Sequence, residues 1–270
     1  MCQARRILHS LRQAARARRL TWLPPPFGRL PAAGRCKSRL AASVGGDAAA
    51  GLYARLLERT LAAGARAGRF TRRVVAVADA GDVARMRVWV AALRGGALRG
   101  RYEVVAQRQG ALGERLESAL ADEFKRAHEE GEEGGYGRCA VVVGSDAPGL
   151  SAAVLDAAAG RLLDGGEQAA EAVLGPAADG GYYLLGLTRP VPEAFDGVPW
   201  STAEVAAVTR RKLEAAGARL AEASALPTLR DVDDWRSLGE WAREARAGEP
   251  EDVSDALLDV LLVRQAEADL

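Results

Sequence analysis

From residue 47 onward the hydrophobic positions switch repeatedly between two periods. DAAAGLYARLLERTLAAG (47–64) places Leu52, Leu56, Leu57 and Leu61 on one helical face, with Asp47 suited to cap its start and Gly64 to stop it. RRVVAVA (72–78) is a short β-branched run, DVARMRVWVAALRGG (82–96) returns to helical spacing with a glycine stop, and RYEVVAQ (101–107) predicts another strand. A helix is expected over 111–129, followed by a Gly/Glu-rich loop to 137. RCAVVVG (138–144) is apolar without alternation, the pattern of a strand covered on both faces in a parallel sheet. Beyond it the spacing predicts a helix over 151–163, strands over 171–175 and 181–187, a helix over 202–216, a short strand near 219–224 and a helix over 232–246. The link at 176–180 is too short for a helical crossover, so its two strands are antiparallel neighbours or one bent ladder. Strands separated by helices predict an α/β fold, a mainly parallel sheet sandwiched by helices in three layers.

The two ends read differently from this body. MCQARRILHSLRQAARARRL is Arg-rich and loosely amphipathic, which suits an organellar transit peptide, a disordered basic tail or a misplaced start codon. At the other end, EDVSDALLDVLLVRQAEADL (251–270) forms an amphipathic helix whose stripe of Val253, Leu257, Leu258, Leu261 and Leu262 can pack on the domain or join two copies as a homodimer. A chain of 270 residues without a Pro/Ser-rich internal linker is expected to fold as one domain over 27–248, with a leader at 1–26 and the terminal helix at 249–270.

Charge sharpens the contrast. Residues 1–46 hold nine Arg and one Lys and no acid, which leaves 27 basic against 36 acidic residues over 47–270, a net −9. An acidic body argues against a nucleic-acid partner. No stretch reaches the roughly 18 apolar residues of a membrane span, so a soluble protein is expected, cytoplasmic or organellar if the leader is a transit peptide. Cys2, Cys36 and Cys139 are too scattered for a zinc or CxxC motif and fit a reducing compartment. With only His9 and His128 and no G-x-S-x-G elbow, serine hydrolase chemistry is a poor fit, and a dinucleotide fingerprint is absent.

Chemistry concentrates in five segments. Asp146 follows the strongest strand within GSDAPGL (144–150), where it can hold Mg²⁺ or Mn²⁺ beside a diphosphate that Ser145 also contacts, or simply cap the next helix. In DVDDW (231–235), Asp231 and Asp233 point to one side of an extended segment while Asp234 caps a helix, although the whole cluster can equally offset a helix dipole. GRCKSRL (34–40) supplies Gly34, Lys37 and Arg39, a pair of cations two apart that can face phosphates or form a solvated basic loop; it is not a Walker A loop. In QRQGALGERL (107–116), Gln107, Gly110 and Arg115 can meet a base or phosphate, or be ordinary surface residues. GPAADGGYYLLGL (175–187) kinks between two strands, so that Asp179 can orient a sugar hydroxyl or an acceptor and Tyr182 or Tyr183 can stack on a ligand, unless the segment is a purely structural turn.

In this order, together with FGRLPAAGRCKSRL and VPWSTAEVAAVT (198–209), the segments resemble the DUF2064-type family of GT-A-fold, nucleotide-diphospho-sugar transferase-like proteins, glycosyltransferases associated with radical-SAM and selenium domains or arsenosugar biosynthesis. The resemblance runs from about Phe27 to Leu238. It implies that Lys37 and Arg39 contact nucleotide phosphates, that Asp146, Asp231 and Asp233 bind the metal, that Asp179 acts beside Asp146, that Gly180, Gly181 and Tyr182 line the pocket, and that Trp200 and Thr202 shape the acceptor side. The family also begins with an apolar strand directly before the phosphate loop. Here that place reads TWLPPPF, and since Pro24–Pro26 cannot sit in a central ladder, the strand is expected to be damaged, or short and peripheral. The function so implied is a Mg²⁺- or Mn²⁺-dependent glycosyltransferase acting from a nucleoside-diphosphate sugar on a small-molecule acceptor. Its alternatives are a nucleotidyltransferase joining an NTP to a phosphorylated substrate, and a degenerate nucleotide-sugar-binding protein.

Overall fold

The computed structural model describes residues 19–23, 28–129, 138–164 and 168–245. The terminal helix expected over 249–270, with its proposed dimer, and most of the basic leader lie outside them. Among the described residues no helix is long and apolar enough to cross a membrane.

Six strands form one sheet: β1 (Arg19–Leu23), β2 (Phe70–Val77), β3 (Glu103–Ala106), β4 (Arg138–Val143), β5 (Ala172–Pro176) and β6 (Tyr182–Leu187). Their order is β3-β2-β1-β4-β6-β5. β1 is parallel to β2 and β4, β2 is parallel to β3, and β6 is antiparallel to both β4 and β5. The short link between β5 and β6 therefore makes antiparallel neighbours, as its length requires.

β4 shows why its sequence lacks alternation. Cys139, Val141 and Val143 enter one core and Ala140 and Val142 the other, so both faces are dry. The first core is closed by α2 (Gly46–Arg66), α3 (Val83–Ala92) and α5 (Ala152–Leu163), through Leu57, Leu61, Met86, Val90, Leu155 and Leu162. The second is closed by α4 (Leu112–Glu129) and α6 (Val205–Ala215), through Leu116, Leu120 and Leu213. A third cluster joins α1 (Ser38–Val44) and the N-terminal half of α2 to α7 (Trp235–Ala245), with Leu40, Val44, Leu52, Leu56, Val232, Leu238 and Trp241 buried together.

The first strand departs from expectation. β1 is central, hydrogen-bonded on both sides, and pairs Leu20 with Cys139 and Leu23 with Val142. It lies upstream of the prolines and ends at Leu23, so no proline has to donate to a ladder. This strand also falls inside the 1–26 stretch set apart as a leader, and it removes the premise of a broken first strand on which the degenerate alternative stood. The short strand near 219–224 is a single parallel bridge between Leu220 and Ala172, followed by a 3-10 turn at Ala223–Ala225. α7 starts at Trp235 rather than 232, because Asp234 caps it: its carboxylate accepts from the Ser237 N–H at 2.8 Å.

Candidate functional site

The carboxyl ends of the parallel strands open into a cleft of about 680 Å³. Lys37 enters it from the turn before α1, in left-handed geometry (φ 49°, ψ 50°) that a non-glycine residue adopts only where its surroundings enforce it. The ammonium is buried, with 5% of the side chain exposed, and lies 2.9 Å from Asp146 Oδ1 and 2.8 Å from Asp233 Oδ1. It also donates to the Val232 carbonyl at 2.6 Å. Burial alone would lower its pKa; Asp146 and Asp233 outweigh that and hold it above the usual lysine value.

The two carboxylates reach this point from distant loops stitched together by main chain. Val232 N–H donates to the Asp146 carbonyl at 2.9 Å, and Leu229 exchanges hydrogen bonds with Pro176 and Ala178 beside the β5–β6 turn. Asp231 is thereby brought near Asp146, Asp179 and Asp233, and burial together with those three charges raises its pKa to about 7. Neither helix needs these acids. The cap of α5 is Ser151, whose hydroxyl accepts from Val154 N–H, and the cap of α7 is Asp234. Asp146 therefore has no capping role at α5, and within DVDDW the cap is Asp234 rather than Asp231 or Asp233.

The opposite wall is aromatic. Tyr182 and Trp200 stand edge to face, with centroids 6.5 Å apart and planes at 70°. Ser201 (φ 65°) carries the chain through a second left-handed position, and Thr202 accepts from Glu204 N–H while donating to the Pro199 carbonyl. This loop leans on the turn at Asp179–Gly181: Ala206 N–H donates to Gly180 O at 2.9 Å, and a Cβ on Gly180 (φ +89°) would run into the Ala203 carbonyl. The Asp179 carboxylate accepts from Gly181 N–H at 2.8 Å.

Of the residues singled out in the sequence, Lys37, Arg39, Ser145, Asp146, Asp179, Gly181, Tyr182, Trp200, Thr202, Asp231 and Asp233 all line this one cleft. Gly34 and Gly180 shape its turns without lining it. Gln107, Gly110 and Arg115 are not among its lining residues: Gln107 Nε2 donates to the Ala76 carbonyl, Arg115 Nε donates to the Gly110 carbonyl, and the Ala111 N–H donates to Glu114, which closes the start of α4. Arg29 and Tyr53 are among the lining residues that were not foreseen. Arg29 lies at the start of FGRLPAAGRCKSRL, away from its Lys37 and Arg39, and Tyr53 sits in the apolar stripe of α2, where its spacing looks like core; its buried hydroxyl accepts from Arg29 N–H at 3.1 Å.

Comparison with known proteins places this architecture. The family described as "Uncharacterized protein conserved in bacteria (DUF2064)" matches residues 60–202, more than half of the chain. The chain belongs to that family. The matched span holds Asp146, Asp179, Tyr182 and Trp200, and stops short of Lys37 on one side and Asp231 and Asp233 on the other. A candidate nucleotide-diphospho-sugar transferase from Desulfovibrio desulfuricans G20 is 27% identical, with a TM-score of 0.72 over 91% of this chain and 97% of that one. A cytidylyltransferase from Leptospira borgpetersenii serovar Hardjo-bovis is 12% identical with a TM-score of 0.51, over 94% of this chain and 95% of its own. The 4-diphosphocytidyl-2C-methyl-D-erythritol synthase from Anaerococcus prevotii DSM 20548 is 9% identical with a TM-score of 0.50, over 85% and 97%. These last two share the fold alone. No curated protein matches the chain. The fold of this DUF2064 family member is thus the α/β fold of nucleotide-diphospho-sugar transferases and cytidylyltransferases.

Proposed function

We propose that the protein is a transferase that draws on a nucleotide-activated donor, a nucleoside-diphosphate sugar, and passes the sugar to a small-molecule acceptor. One observation carries this reading: Asp146 and Asp233, from loops far apart in sequence, close on a single buried positive charge at the carboxyl end of the sheet, where open α/β folds take their ligands. The candidate nucleotide-diphospho-sugar transferase of D. desulfuricans supports it. Carboxylates able to share an ammonium are able to share Mg²⁺ or Mn²⁺, both of which favour oxygen ligands. Among the described residues no three His, Cys, Asp or Glu side chains form a ready cage, so Asp146 and Asp233 would hold the ion as a pair with Asp231 behind them. Bound there, the ion would neutralise the diphosphate of the leaving nucleotide. Lys37 and Arg39 hold its phosphates, and Asp179 accepts a hydrogen bond from the incoming acceptor hydroxyl. Each of these groups binds or orients, so the rate gain comes from positioning and charge.

Calorimetry and thermal shift with UDP, CDP, GDP and ADP, each with and without Mn²⁺, test the reading. Metal-dependent binding of a diphosphate is expected, lost in Asp146→Asn with the fold retained. Indifference to the metal, or equal binding of the bare nucleoside, would sink it. Pyrophosphate release from an NTP would mark nucleotidyl transfer instead.

A further inference from the structure

We infer that the acceptor end of the cleft takes an uncharged alcohol carrying an apolar ring or chain, and turns phosphorylated acceptors away. This rests on the donor reading above and names the second substrate of the same site. The cleft divides its charge unevenly. Its lining cations, Arg29, Lys37 and Arg39, all come from α1 and the segment leading into it. Lys37 is held by Asp146 and Asp233, and Arg29 donates to the Arg35 carbonyl at 2.8 Å. The facing wall is made mainly of Leu112, Leu116, Val142, Tyr182, Trp200 and Val205, with the neutral Ser201 and Thr202 beside them, and among the described lining residues it carries no cation.

The two aromatic residues settle its character. The Tyr182 hydroxyl has no accessible surface and lies inside the protein beside Thr209, so the cleft meets the ring and not the oxygen. The Trp200 Nε1 is turned onto α4, 2.9 Å from where a side chain on Gly113 would begin. With both polar handles directed into protein, an incoming molecule meets carbon. At the edge of this wall stands Asp179, which makes no ion pair among the described residues and accepts from Gly181 N–H. A phosphate dianion there would face a carboxylate with no counter-charge, whereas an alcohol finds an acceptor for its proton and apolar surface for its body.

A matched pair of probes, 2-phenylethanol and phenyl phosphate, shares the ring and differs in charge. Ligand-observed NMR on the full chain with saturating UDP and Mg²⁺ is expected to show the alcohol binding about tenfold more tightly than the phosphate. Trp200→Ala should weaken the alcohol about fivefold while UDP affinity, read by calorimetry, stays within about twofold. Leu112→Arg, at a half-buried position on the same wall, supplies the missing cation and should raise phenyl phosphate affinity about tenfold. Equal or tighter binding of phenyl phosphate to the unaltered protein overturns the inference, as does alcohol binding that ignores both substitutions. If none of the four nucleoside diphosphates binds, the donor reading falls, and the same two probes without nucleotide still score the wall.

Discussion

Replacing Lys37 by methionine removes the ammonium that Asp146 and Asp233 share and keeps most of the side chain's volume. Each contact, at 2.9 and 2.8 Å, corresponds to about 6 kcal/mol of bare attraction at an effective dielectric constant of about 20. Burying the ammonium costs several kcal/mol in return, and the carboxylates, 37% and 47% exposed, are partly screened by water. The net loss of stability is therefore on the order of 1–2 kcal/mol, or about 2–8 °C in Tm for a domain of this size. Divalent cations reverse the sign. Lys37 occupies the space between the two acids, so a metal ion without nucleotide has to displace it; the methionine variant should bind Mn²⁺ about tenfold more tightly, a gain of about 1.4 kcal/mol. Affinity for a nucleoside diphosphate should fall in the same variant, because a phosphate contact is gone. The assay is calorimetric titration of the chelator-treated protein with Mn²⁺ and with UDP separately, beside a melting curve for each state. A variant that melts like the parent and binds Mn²⁺ no more tightly would refute the reasoning, since Lys37 would then not stand where the cation goes.

Other expectations follow from the same geometry. Asp231 titrates near 7 in the folded chain against an ordinary value near 4, so its neutral form stabilises the fold fully below about pH 4 and this contribution is lost as pH rises through 7. In chelator-treated protein that costs on the order of 2 kcal/mol between pH 5 and 8, and Asp231→Asn should flatten the melting profile over that window. Gly180→Ala forces a side chain into the Ala203 carbonyl at a backbone angle that favours glycine, and should cost about 2–4 kcal/mol by urea denaturation. A chain begun at Gly28 lacks the middle strand of the sheet and should be insoluble or unfolded by circular dichroism, whereas one begun at Arg19 retains β1; equal solubility of the two would contradict the central placement of that strand.

Much of the sheet was legible because burial on both faces leaves an unmistakable run, as in RCAVVVG, and the helices because their apolar faces repeat with the helical period. β1 was misjudged for a local reason. Its five residues, Arg19–Leu23, lie between arginines and prolines that drown the pattern, and only pairing with β2 and β4 makes a strand of them. The site divides along the same line. Single carboxylates at strand ends and in DVDDW can be found by type and spacing, and so can the kinked turn at Asp179. What no local pattern carries is the meeting of Lys37 with Asp233, or the self-closure of Gly110–Arg115 by Glu114, which keeps an apparently suitable glycine loop away from the cleft.

The distance between Lys37 and Asp233 along the chain, 196 residues, also sets an order of events in synthesis. β1 leaves the ribosome first among the described strands, yet one of its two neighbours, β4, begins only at Arg138. At about 5–20 residues per second, the central strand waits about 6–23 seconds with one edge uncovered, and Lys37 waits about 10–40 seconds for its second carboxylate. The cluster of Leu40, Val44, Val232, Leu238 and Trp241 closes last, drawing the beginning and end of the described chain together. A nascent protein cut short before Asp233 therefore carries an incomplete cleft, so ligand binding in this protein doubles as a report that synthesis has passed that residue.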